Sequence, residues 1–248
     1  MPSSTAARLG RAAITSLGLA GCDLALGLDR LGTGVDAGPD AATAPRLVGQ
    51  AAQATQVDVS PLTVPLISQL RVGARLIVDV ASFGCAVTGV TDDAGSAYAP
   101  VFVGPARADG IALQLQAATM TGQPTHVDIT ANVTMGCELS VAVLAFAGVG
   151  TTWRASSLAD AGGDPVIHGV PPLPALVGPA AYVATAVYAG SASATVDLPY
   201  TLVAAPSTTS ATVPMAVAVY VGAASPPPLP TFTLSVGSTA GVHVLGLQ

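Results

Sequence analysis

From about residue 56 onward, short runs of apolar residues alternate with clusters of Gly, Pro, Asp and Ser. The clearest run is 126–134. Val127, Ile129, Ala131 and Val133 point one way, and His126, Asp128, Thr130, Asn132 and Thr134 point the other. A period of two over such a length predicts a half-buried antiparallel strand. Ile111, Leu113 and Leu115 alternate with Ala112, Gln114 and Gln116 in the same way, and Leu76, Val78 and Val80 alternate less cleanly with Arg75, Ile77 and Asp79. A second class of run is apolar on both faces: 139–147, 182–188 and 215–221. These predict central strands covered on two sides. Further strands are expected over 57–64, 86–91, 98–103, 194–203, 231–236 and 242–247. About twelve strands, with no amphipathic helix after residue 30, predict an all-β fold. The expected form is a two-sheet antiparallel β-sandwich of jelly-roll or Ig-like type. No internal repeat is strong enough to count, and a pseudo-repeat of two half-domains meeting near residue 150 stays open.

The amino terminus follows a different pattern. Arg8 and Arg11 precede an apolar run over 12–21. That length suits the helical core of a signal peptide and is too short to span a bilayer. The run ends in Leu19-Ala20-Gly21-Cys22, which resembles the lipobox of bacterial lipoproteins. The resemblance covers the first 22 residues and implies three steps. Diacylglycerol is joined to the Cys22 sulfur, a dedicated peptidase cuts before Cys22, and the new terminus is open to N-acylation. Two or more acyl chains hold a protein stably on a membrane where one does not. The alternative is an ordinary secretory signal with an incidental cysteine. Asp23 resembles the inner-membrane retention signal of enteric bacteria, a rule other Gram-negative groups do not follow reliably, so the choice of membrane stays open. The expected organisation is a signal peptide over 1–21, a lipidated cysteine and flexible tether over 22–55, and a β-sandwich domain over 56–248. The tether reading rests on 32–45, which is built from Gly, Ala, Asp, Pro, Thr and Val and cannot form a core. Leu24, Leu26, Leu28 and Leu31 offer an alternative in which this segment packs on the domain or dips into the membrane interface.

Composition narrows the function classes. Hydrophobic residues make up 51% of the chain and charged residues 9%, and mean hydropathy is +0.63. The apolar content is mostly Ala and Val broken by Gly and Pro, so no stretch approaches the roughly 20 residues of a membrane-spanning helix. There is no lysine, and the eight arginines are scattered. Without the signal peptide, six arginines face fourteen acids, a net charge of −8. Phosphate backbones require clustered cations, so no nucleic-acid partner is expected.

Once Cys22 is assigned to lipid, Cys85 and Cys137 remain. An even remainder in an oxidising compartment predicts one disulfide between them. Neither has a second Cys or His at ligand spacing, so no metal site is assigned. Asp92-Asp93 supply too few oxygens for calcium and read as a polar hairpin with Gly95 at positive φ. Asp160 and Asp164 are read the same way. Residues 87–98 are similar to a hairpin common in bacterial secreted β-sandwich domains, with Ser96 where that pattern often has Asn. A strand ending like Ala145-Phe146-Ala147-Gly148-Val149 and a closing strand like 242–245 extend the likeness. It implies accessory or adhesive modules on surface proteins, not an activity.

No catalytic set emerges. His126, His168 and His243 are far apart and each is expected to face solvent. There is no G-x-S-x-G elbow, and Glu138 is the sole Glu, which removes a paired-glutamate glycosidase. Trp153, the sole tryptophan, is a ligand-contact candidate as a sugar platform, or alternatively a plug over the core. The proline runs 171–174 and 226–230 read as stiff loops or polyproline II ligands. The expected function is a membrane-anchored envelope lipoprotein, not an enzyme and without a cofactor. Its sandwich would act in surface structure or contact, with a polysaccharide or protein partner. A carbohydrate-binding module and a hydrolase with a dispersed site are the alternatives.

Overall fold

A computed structural model describes residues 44–248 apart from 60, 105–109, 159–164, 169–175, 177, 191, 207–212, 224–228 and 239. The signal peptide, Leu19, Ala20, Gly21 and Cys22 and the first part of the tether lie outside the described residues, as do Asp160, Asp164 and 171–174.

Regular structure among the described residues is entirely strand. The first eight strands are β1 (Arg46–Val59), β2 (Leu62–Ile67), β3 (Arg75–Phe83), β4 (Val87–Asp92), β5 (Ala99–Val103), β6 (Ile111–Thr119), β7 (His126–Val133) and β8 (Cys137–Ala147). They form a five-stranded sheet in the order β1-β8-β3-β6-β5 and a three-stranded sheet in the order β2-β7-β4. The nested antiparallel pairing of β1 with β8, β2 with β7 and β3 with β6 is that of a jelly roll.

The next eight strands are β9 (Trp153–Leu158), β10 (Val166–His168), β11 (Ala180–Tyr188), β12 (Ala194–Val196), β13 (Thr201–Ala204), β14 (Met215–Gly222), β15 (Thr231–Leu234) and β16 (Ala240–Leu247). Their sheets run β13-β14-β11-β16-β9 and β10-β15-β12. Advancing eight strands along the chain carries the first pair of sheets onto the second without a change of order. The chain therefore holds two jelly rolls of one topology, joined by 148–152. The half-domain division that the sequence left open falls at this connection.

Three apolar clusters stack the four sheets. One lies inside the first sandwich, around Leu66, Leu76, Ile129 and Val141. One lies inside the second, around Tyr182, Tyr188, Phe232 and Val244. The third joins the two five-stranded sheets through Ile77, Leu115 and Phe146 on one side and Val183, Met215 and Leu245 on the other. Strands β3, β8, β11 and β16 therefore have covered faces on both sides. In β3, Leu76, Val78 and Val80 enter the first core while Ile77 and Ala81 enter the joint. This explains the doubly apolar runs: each central strand is shared by two cores.

The all-β antiparallel sandwich is the architecture that periodicity predicts, but there are two sandwiches and four sheets where one and two were expected. Strand β1 already occupies 46–55, inside the segment read as tether, and pairs with β8. Its mixed sequence RLVGQAAQAT hides it, because an edge strand has less surface to cover. The single run expected at 194–203 is two strands, separated by a turn in which Tyr200 N donates to Asp197 O at 3.2 Å. Strand β9, WRASSL, carries no usable alternation and was not anticipated.

Candidate functional site

Cys85 and Cys137 form the disulfide, with Cα atoms 5.9 Å apart. It ties the turn after β3 to the first residue of β8. Gly84 before it has φ +80°, a conformation that glycine adopts without strain.

The acidic segment is a turn and not the expected hairpin, because β4 pairs with β7 and β5 with β6 in another sheet, and its carboxylates are satisfied locally. Asp92 Oδ1 accepts from Ser96 N at 2.8 Å and Oδ2 accepts from the Tyr98 hydroxyl at 3.0 Å. Asp93 Oδ1 accepts from Asp128 N at 2.9 Å. Gly95 has the expected positive φ, +73°, in the turn that carries the chain from β4 to β5. Burial pushes the Tyr98 phenol up, and the neighbouring carboxylates add to that. Among the described residues no group of three or more His, Cys, Asp or Glu is placed to hold a metal ion.

Trp153 opens β9 and is 37% exposed, paired in register with Leu247. The tyrosines do not join it in an aromatic platform. Tyr182, Tyr188 and Tyr200 are buried in the second sandwich, and Tyr182 and Tyr200 each lie 5.8 Å, ring centre to ring centre, from the half-buried Tyr220.

The three histidines fall in different settings. His126 is exposed and its Nε2 lies 2.8 Å from Asp128 Oδ1. His168 ends β10. His243 corrects the solvent-facing expectation: it is 1% exposed, in the joint between the sandwiches. Because β16 is covered on both faces, no residue of its middle can reach water.

His243 belongs to a polar seam that sequence reasoning missed. It is the register partner of Thr185 on β11 and its ring stacks on Phe102 of β5, centroids 3.9 Å apart. Thr185 Oγ1 donates to Asp79 Oδ2 on β3, from one sandwich to the other. Ser140 on β8 makes a second such tie, donating to Val213 O. Among the described residues Asp79 Oδ1 and both His243 nitrogens have no hydrogen-bond partner. Burial pushes the Asp79 carboxyl up to about 7, partly offset by the Thr185 bond, and pushes the His243 imidazole down to about 4. Both groups are thus held neutral near pH 5–6. The available signal was a lone ionisable residue within an apolar run, LIVDVASF and HVLGL.

A cleft of about 210 Å³ opens where the domain begins, between the start of β1, the β2–β3 turn and the end of β8. Its lining includes the polar residues Arg46, Gln69 and Arg71 beside the apolar Val48 and Ala74. That volume is below the roughly 300–1,000 Å³ of ordinary small-molecule sites. Comparisons with family models, with curated proteins and with solved structures returned no match.

Proposed function

We propose that this chain is a membrane-anchored envelope lipoprotein whose β-sandwich domain acts without catalysis in surface structure or contact. The observation that carries the reading is Leu19-Ala20-Gly21-Cys22 at the end of a ten-residue apolar run behind Arg8 and Arg11. Lipid on Cys22 makes the membrane the first partner, with a polysaccharide or protein at the cell surface as the second. The address is the cell envelope, on the outer membrane or the periplasmic face of the inner membrane. The Cys85–Cys137 bridge supports export, because such bonds persist in oxidising compartments. Trp153 without companion aromatics favours surface contact over a sugar-binding platform.

The test is mass spectrometry of the mature protein from its native membrane. The expected amino terminus is Cys22 carrying diacylglycerol, and Cys22→Ser is expected to give uncut or soluble protein. An unmodified terminus elsewhere refutes the reading.

A further inference from the structure

We propose that Asp79 and His243 are an opposed pair of buried ionisable groups in the joint between the two sandwiches, whose proton exchanges on folding cancel and leave its strength independent of pH across the acidic range. Each is 1% exposed, and each sits on a central strand of its own sandwich, β3 and β16. Thr185 links them, bonded to Asp79 and paired in register with His243. Asp79 Oδ1 and the two imidazole nitrogens face the layer without partners among the described residues.

A charge in such a layer is costly, so each group enters it neutral. For the carboxyl this means keeping a proton, and for the imidazole it means giving one up. In the unfolded chain the ordinary values are 3.8 for Asp and 6.5 for His. Between those limits the exposed Asp is an anion and the exposed His a cation. Folding then moves one proton from imidazole to carboxyl, with no net uptake or release. Stability depends on pH only through the difference in bound protons, so the pair contributes no slope.

Each group alone has a strong slope. Asp79 contributes stability that is full below 3.8 and is lost as pH rises towards about 7. His243 contributes stability that is full above 6.5 and is lost as pH falls towards about 4. From about 4 to 6.5 the two slopes oppose.

Among the described residues, the other charged side chains of β3 and β8 on this face stand at its ends. Arg75 at the start of β3 donates to Thr119 Oγ1 at 2.7 Å, and Glu138 is the second residue of β8. Each lies four residues along its strand from the Asp79–Ala142 pair, about 13 Å away. Among the described residues β5, β6, β11, β14 and β16 present no further ionisable side chain to this layer besides His243.

The test is denaturant unfolding of the full chain with its disulfide intact at pH 4.5, 5.5 and 6.5. Wild type is compared with Asp79→Asn, which keeps an acceptor for Thr185, with His243→Phe, which keeps a ring against Phe102, and with the double variant. Relative to wild type, the folding constant of Asp79→Asn is expected to rise roughly tenfold per pH unit. That of His243→Phe is expected to fall roughly tenfold per unit, and the double variant runs parallel to wild type. Single variants that parallel wild type, or that drift in the same direction, overturn the proposal. Should His243→Phe fail to fold, Asp79→Asn and the NMR signature of the wild-type ring decide. A neutral His243 at pH 5 is expected, and a protonated one overturns the pairing.

Discussion

Thr185 donates its hydroxyl proton to Asp79 across the joint, and the two residues stand mid-strand on β3 and β11, which hold the same place in their sheets. Thr185→Val keeps the shape of the side chain and removes the donor, leaving a buried carboxyl with neither oxygen bonded. A loss of about 1–3 kcal/mol is expected. Because that hydrogen bond is the one influence lowering the Asp79 carboxyl, its value is also expected to climb above about 7. Denaturant midpoints at pH 5.5 check the first expectation and the pH dependence of stability checks the second.

The Cys85–Cys137 bridge closes a 52-residue separation within the first sandwich. The chain-entropy model gives about 4 kcal/mol for a loop of that size before native strain is deducted. Reduction, or Cys85→Ser with Cys137→Ser, is expected to lower stability by up to that amount. Hydrogen exchange is expected to loosen first around β8 and the turn after β3. Thiol titration of the unfolded, unreduced chain is expected to detect neither cysteine.

Gly246 lies opposite Tyr182 in the β16–β11 register. A methyl group there would stand 2.9 Å from Leu176 Cδ1 and 3.2 Å from Tyr182 Cε1. Gly246→Ala is therefore expected to cost about 1–3 kcal/mol through overpacking. Gly89→Ala on β4 is the control, since an added methyl meets nothing within 4 Å and the backbone is not at positive φ. Thermal unfolding of the two variants side by side tests the contrast.

Asp92 holds the β4–β5 turn with two accepted bonds, from Ser96 N and the Tyr98 hydroxyl. Asp92→Ala removes both and is expected to cost about 1–3 kcal/mol, whereas Tyr98→Phe removes one and is expected to cost about 1 kcal/mol. A double-mutant cycle read by chemical denaturation gives their coupling. A coupling of zero means that the Tyr98 bond contributes nothing to the turn.

The amino-acid sequence by itself determined which segments are strands wherever burial leaves a rhythm. The run at 126–134 alternates because β7 has one covered face, and 139–147 and 182–188 do not because β8 and β11 have two. It also determined the disulfide pair, once Cys22 is set aside, and the turn at Gly95. It did not determine what covers a covered face. Val78 and Ile77 are both apolar, but one packs within its own sandwich and the other against strands about a hundred residues further on. Period two reports that water is excluded, not which sheet excludes it, so the doubling of the fold was decided only by tertiary packing. Edge strands such as β1 and β9 escaped notice for the opposite reason, since they bury too little to leave a pattern. His243 reads as a solvent-facing residue because ionisable side chains usually are, and Asp79 reads only as one member of an unclean alternation. Only the stacking of two five-stranded sheets sealed them away from water, and that removal makes their protonation part of the stability of the fold.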